Sequence, residues 1–189
     1  MPKNQDFIIN RDMMPGNDCF GCGLENPDSM GVKLFDRTDG IEGLKGSFKA
    51  PEHATAFPNI VHPGAFFTSM VCLSVWTPYR LREDTKAVWF LTDSKLSFCK
   101  AAMLQDEHLL CSSFVKETGQ WDPLTIGVKA LDQGGDTLIT GEFTIHPFPP
   151  ELAMEIAGIT EIPENDLMAA CKEILSNQNI DTRMSAYLK

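Results

Sequence analysis

The chain has 189 residues, the size of one domain with a short extension. Apolar residues make up 43% and charged residues 22%, a balance that excludes a disordered chain. With 16 Lys and Arg against 26 Asp and Glu, the formal charge is −10, which argues against nucleic acid as a partner.

No membrane span is expected, because a span needs roughly 20 predominantly apolar residues. The longest uncharged stretch, Val61 to Tyr79, is interrupted by Pro63, Gly64, Thr68, Ser69, Ser74 and Pro78. The opening MPKNQDFIIN has neither an apolar core nor a small-residue cleavage site, so it is not read as a secretory signal. A cytoplasmic location with reduced thiols is the expectation.

In chain order, Asn10 to Gly31 is rich in Gly, Asn, Asp and Pro and reads as irregular loop. Val32 to Thr38 reads as a strand, Asp39-Gly40 as a hairpin turn, and Ile41 to Ala50 as the partner strand. Residues 51–62 read as loop. From Gly64 to Pro78 no residue is charged, Pro63 suits a first helical position, and Pro78 marks the other end. A helix apolar on every side must be covered on every side, so this one is central.

Strand signals follow. Ala87 to Leu91, Ser94 to Phe98 and His108 to Glu117 read as extended, and Leu124, Ile126, Val128 and Ala130 alternate with more polar neighbours. A turn at Gln133-Gly134-Gly135-Asp136 leads to a second alternating run through Ile139, Gly141, Phe143 and Ile145. Amphipathic pieces near 150–158 and 163–177 suggest a helical extension over 151–189, after a main domain of 1–150. Short turns make the strands antiparallel neighbours. The fold class is therefore α+β, an antiparallel sheet curled around one apolar helix, with a partner chain covering what remains of it.

This architecture resembles the hotdog fold. Asp18-Cys19-Phe20-Gly21-Cys22-Gly23, then Asn26-Pro27 and Met30-Gly31-Val32, resembles the Cys-Phe-x-Cys-Gly, Asn-Pro opening of part of the PaaI-like acyl-CoA thioesterase group, within the hotdog thioesterase superfamily. Val61-His62-Pro63-Gly64 resembles the Val-His-Gly-Gly at the start of that group's central helix, and Thr92 to Phe98 resembles its following strand. The resemblance implies hydrolysis of an acyl-CoA or related acyl thioester by water, in a dimer or tetramer.

The chemistry at that helix start can be argued from the residues. The first N–H groups of a helix lack intrahelical partners, and the dipole there favours negative charge. Free N–H groups at Gly64 or Ala65 suit the oxyanion that forms when a thioester is attacked, and one such donor contributes about 3 kcal/mol. The plainer alternative is that Pro63 and Gly64 shape the helix start and His62 caps it. Two departures from the family stand out: Pro63 replaces the first Gly and has no N–H, and Val71 occupies the position of the acidic residue.

With no acid from His62 to Arg82, the substitute bases are His62 and Asp93, the latter from a partner subunit. Asn59 is a candidate hydrogen-bond donor to the carbonyl or a water. The acyl chain is expected along Ala65, Phe66, Phe67, Ser69 and Met70. Coenzyme A phosphates would meet Lys95 and Lys100, with Arg80 and Arg82 nearby in sequence.

Loss of the acid also admits a second function, an acyl-thioester or fatty-acid binder without catalysis. A third, hydratase or dehydratase chemistry, is suggested by Phe57-Pro58 with Pro63-Gly64, and by Asn59-x-x-His62. Its acid–base pair is missing, because Ala56 and Ser69 stand at two of the required positions. Cys19-x-x-Cys22 has zinc spacing, but a structural site takes four ligands and the other cysteines are isolated in sequence, so neither metal nor cofactor is expected.

Overall fold

The computed structural model describes residues 7–82, 87–117, 119 and 121–157. Helix α1 (Ile9–Asp12) leads into strands β1 (Lys33–Asp36) and β2 (Leu44–Lys49), a small hairpin of β3 (Thr55–Phe57) and β4 (Ile60–Val61), and helix α2 (Pro63–Leu81). Strands β5 (Val88–Phe98), β6 (Glu107–Lys116), β7 (Leu124–Leu131) and β8 (Thr137–Phe148) follow, then helix α3 (Pro150–Ala157). The six long strands form one antiparallel sheet in the order β1-β2-β6-β7-β8-β5.

Alternation sets which face is buried. In β7, Leu124, Ile126, Val128 and Ala130 are at most 2% exposed, and in β8 Ile139, Phe143 and Ile145 likewise point inward. Helix α2 lies on this inner face, against β2, β5, β6, β7 and β8. Phe66, Met70 and Leu73 are fully buried, each contributing about 1.5–3 kcal/mol by leaving water. At Gly141 a Cβ would fall 2.7 Å from Phe143 and 3.2 Å from Met70, so the missing side chain lets the helix settle on the sheet. The buried hydroxyls of the helix are satisfied within it: Ser69 Oγ donates to Ala65 O at 2.8 Å, Ser74 Oγ to Val71 O at 2.8 Å, and Thr77 Oγ1 to Leu73 O at 2.7 Å.

Several boundaries differ from expectation for local reasons. The β1–β2 connection spans residues 37–43 rather than two residues, because Arg37 binds Asp39 and donates to Ser112 O at 2.8 Å. The loop before α2 contains the β3–β4 hairpin. Pro78 does not end the helix: it removes a single N–H from the last turns, and Arg82 N still donates to Pro78 O at 2.8 Å. The runs 87–91 and 94–98 are one strand, continued through a register shift between Leu91 and Asp93.

Within one chain the helix is covered on most sides, but Phe67, Val71, Val75 and Tyr79, four residues apart, form a partly exposed stripe. Of the expected extension, Pro150–Ala157 is helical, and the segment 163–177 lies outside the described residues. Among the described residues no helix is long and apolar enough to cross a membrane.

Candidate functional site

Residues 54–62 bring the chain to the amino end of α2 under tight backbone control. His62 N donates to Ala54 O at 2.8 Å, Val61 N to Ala102 O at 3.0 Å, and Leu104 N to Asn59 O at 2.8 Å. Asn59 takes the left-handed conformation with φ of 65°, which Asn tolerates better than most residues. Its carbonyl is thus committed to the scaffold, and its exposed side chain is at the turn between β3 and β4.

His62 is the N-cap. Its Nδ1 accepts the N–H of Gly64 at 2.9 Å, and its carbonyl accepts the N–H of Ala65 at 2.9 Å. Both amides proposed for an oxyanion are therefore already engaged in this conformation. With Nδ1 accepting, a neutral imidazole carries its proton on Nε2, so the outward nitrogen is a donor and not a base. The Gly64 bond is exposed, and such a bond contributes a net of about 0.5–1.5 kcal/mol, so turning the imidazole away costs little.

Beside the cap lies an apolar groove of about 390 Å³, lined by Phe57, Ile60, Pro63, Phe66, Phe98 and Ile139 among others. Phe57 and Phe98 are 70% and 56% exposed, so the groove is open to solvent. Lys100 stands on its wall, and its ammonium binds Asp132 and Asp136 at 3.0 Å each. Those two carboxylates favour the charged amine and raise its pKa.

The wall residue Phe66 also packs inward, 5.2 Å from the Phe48 ring and 5.0 Å from the His108 ring between centroids. His108 is fully buried and neither ring nitrogen has a hydrogen-bond partner. Burial favours its neutral form and lowers its pKa, against smaller opposite effects of Asp106, the nearby Met103 backbone and Asp132. His108 opens a strand expected from the sequence, but in a strand of mixed polarity nothing local marks it as inward.

The fold gathers some of the expected residues and separates others. Phe66 lines the groove, and Asn59, His62 and Gly64 adjoin its lining residues Ile60 and Pro63 along the chain. Ala65, Ser69 and Met70 are buried beneath the helix surface, with the Ser69 hydroxyl spent on Ala65 O. Phe67 is 37% exposed and its ring lies 6.2 Å from that of Phe143.

Asp93 and Lys95 pair with Thr144 and Glu142, which alternate with the buried Phe143 and Ile145, so both lie on the sheet face away from α2. Lys95 there lines a broader depression of about 610 Å³ together with Arg37, Lys129 and Glu142. Arg80 binds Asp36, and Arg82 binds Glu42 and Glu117. Both arginines sit at the far end of α2, about 27 Å from its start at 1.5 Å per residue, so neither reaches the groove within one chain.

No protein-family model matches the chain, and no curated protein sequence matches it. Its structure, however, is similar to solved ones. A hypothetical thioesterase protein from Streptococcus pneumoniae TIGR4, determined with coenzyme A, matches at 16% identity and a TM-score of 0.53, over 62% of this chain and 86% of that one. Zebra fish thioesterase superfamily member 2 matches at 19% identity and 0.55, over 73% and 92%. The PaaI protein of E. coli, from the phenylacetic acid degradation operon, matches at 8% identity and 0.54, over 63% and 80%. The chain has the hotdog fold. At these identities the likeness establishes how the hotdog sheet and helix are arranged, and the chemistry has to be argued from the residues.

Proposed function

We propose that this protein is a hotdog acyl-CoA thioesterase that seats the acyl chain in the 390 Å³ groove and the thioester carbonyl at the amino end of α2. The observation that carries this reading is the meeting of an open apolar groove with an exposed, capped helix start whose cap is a histidine. The coenzyme A in the similar streptococcal structure supports the choice of thiol.

In the proposed step the His62 imidazole turns away from Gly64. One movement then frees two groups: the Gly64 N–H, which donates to the carbonyl oxygen, and Nδ1, which accepts a proton from water. The water oxygen attacks the thioester carbon, the tetrahedral oxyanion collapses, and the C–S bond breaks. The leaving thiolate takes a proton, from His62 or from solvent. Asn59 would position the water or the carbonyl.

Asp93 is the weaker substitute base. It faces away from α2 in its own chain and would serve only across a subunit boundary. Such a boundary is proposed at β5, an 11-residue strand at the edge of the sheet with one side unpaired among the described residues. A second copy pairing there would close that edge, and the dimer would cover the stripe of Phe67, Val71 and Val75. Lys95 and Lys100 are the proposed phosphate contacts, although Lys100 would have to exchange Asp132 and Asp136 for phosphate.

One observation favours the second reading, a binder without catalysis: Val71, at the family's acidic position, is half-buried and has no polar atom on its side chain. Free-thiol release from a panel of acyl-CoAs separates the two. The hydrolase predicts release, lowered on the order of 100-fold in His62→Ala, as loss of a general base does. Wild-type protein that releases no thiol overturns hydrolysis, and saturable thermal stabilisation by the same acyl-CoA then establishes the binder. Neither release nor stabilisation would remove both readings.

A further inference from the structure

The Cys19-x-x-Cys22 loop lies directly on α2, and two glycines put it there. A Cβ on Gly21 would fall 2.3 Å from Cys72 Sγ and 3.0 Å from Thr68 Cγ2. A Cβ on Gly23 would fall 2.6 Å from both Asn17 O and Cys19 N. Neither position has room for a side chain: Gly21 lets the loop down onto the helix, and Gly23 lets the loop close on itself. Hydrogen bonds fix that shape, with Cys19 N donating to Asn17 Oδ1 at 3.1 Å, Gly23 N to Cys19 O at 2.8 Å, and Asn26 Nδ2 to Asp18 O at 2.8 Å.

The consequence is a convergence that sequence spacing hides. Cys72, isolated in the chain, meets the pair from the loop, and the three sulfurs lie within 4.8 Å of one another. Cys19 and Cys72 are 3.9 Å apart. Three thiolates on one tetrahedral zinc, with Zn–S bonds of about 2.3 Å, stand roughly 3.8 Å from each other, so small side-chain rotations complete the geometry. Cys22 and Cys72 are 2% and 9% exposed, and Cys19 is half-buried. Two of the sulfurs also face N–H donors, Gly21 N to Cys19 Sγ at 3.4 Å and Asn17 Nδ2 to Cys22 Sγ at 3.5 Å, the contacts that an anionic sulfur uses.

We propose that Cys19, Cys22 and Cys72 form a zinc site that fastens the amino-terminal loop to the central helix. Three thiolates supply the protein ligands, and water fills the fourth position on the half-exposed Cys19 side. Zinc replaces the S–H protons, which pass to solvent, and no redox change is involved. The expectation of no metal counted ligands along the sequence; the fold adds the third. The site is separate from the groove and needs no acyl ligand.

The test uses the full reduced chain and Co²⁺ as a spectroscopic stand-in, followed by zinc quantification after dialysis. The expected result is one zinc per chain and a cobalt spectrum with intense thiolate charge-transfer and tetrahedral bands. Cys19→Ser, Cys22→Ser and Cys72→Ser should each weaken binding at least tenfold, while a chain with Cys99, Cys111 and Cys171 all changed to Ser should bind as wild type does. Chelator should lower the Tm of the wild type and leave that of Cys72→Ser unmoved. Wild-type protein that takes up no zinc or cobalt when fully reduced overturns the proposal, whatever the variants do. So does a cobalt spectrum without thiolate bands, or binding that survives in Cys72→Ser with native circular dichroism.

Discussion

Two loops touch α2, and they are built in opposite ways. Residues 54–62 reach its amino end through backbone hydrogen bonds and leave Phe57, Asn59 and His62 exposed beside an open groove. Residues 14–31 lie across it with Cys22 and Met30 turned in and buried, and buried Asn10 on α1 ties down the middle of the loop and the residues that follow it. The Asn10 amide donates to Cys22 O at 2.6 Å and Val32 O at 2.9 Å, and its oxygen accepts Leu34 N at 3.0 Å. The contrast teaches a division of labour. The first loop leaves its side chains for a ligand, whereas the second packs its cysteines and glycines against the helix and serves the scaffold.

The sharpest way to break this division is to crowd the second loop. Gly21→Val places methyl groups where Cys72 Sγ already stands, so the loop must lift from the helix. Overpacking of this kind costs about 1–3 kcal/mol, and here the upper end is expected because the colliding neighbour is itself buried. Urea unfolding should show it as a lower midpoint at unchanged slope. An unchanged midpoint would mean that the loop does not bear on the helix. Next in size is Asn10→Ala, which removes the side-chain partner of Val32 O and Leu34 N and leaves Cys22 O only the 3.5 Å contact from Asn17 Nδ2, and should cost about 2 kcal/mol by the same measurement. A cost below half of that would show water replacing the amide.

His108, packed against Phe48 and Phe66, gives a prediction of opposite sign. Its folded-state pKa is lowered by burial, so the unfolded chain binds the proton more readily. Stability should therefore rise with pH through the window between the depressed folded value and the ordinary one of 6.5, and fall as pH drops below that window's upper edge. His108→Phe removes two unpartnered nitrogens from between Phe48 and Phe66 and keeps a planar ring. It should stabilise the fold by about 1 kcal/mol near neutral pH and flatten the acid side of the curve, as read by Tm against pH. A loss of stability would mean that the imidazole makes a polar contact through water.

What could be read from the sequence follows the range of the interactions. The apolar run Gly64 to Pro78 and the alternation of Leu124 to Ala130 are local patterns, and from them the central helix, the antiparallel sheet and its inward rows were legible. The helix start was legible too, because Pro63 and Gly64 are capping residues with a mechanism. Features that depend on what lies opposite were not. That Lys100 would sit between Asp132 and Asp136, and that Cys72 would rise beneath Gly21, are each settled by a neighbour distant in sequence, whereas His62 as the helix cap was one of the two readings the sequence offered. The placement of Asp93 on the outer face shows the same limit at a single residue. The register shift beside Thr92 sets the face of every residue after it, and no property of Asp93 announces it.

The smallest stability effect is expected at the first loop, and there it separates scaffold from site. Phe57 is 70% exposed, so Phe57→Ser removes little buried surface and should move the unfolding free energy by no more than about 0.5 kcal/mol. As a wall of the groove it should nonetheless matter to an acyl chain. Losing an aromatic contact there should weaken the thermal stabilisation by a long-chain acyl-CoA several-fold in apparent Kd and leave the response to a short-chain one nearly unchanged, because only the longer chain reaches past Pro63. Equal loss for both chain lengths would place Phe57 at the thioester end instead. No loss for either would move the acyl site out of the groove, and the division between the two loops would fail with it.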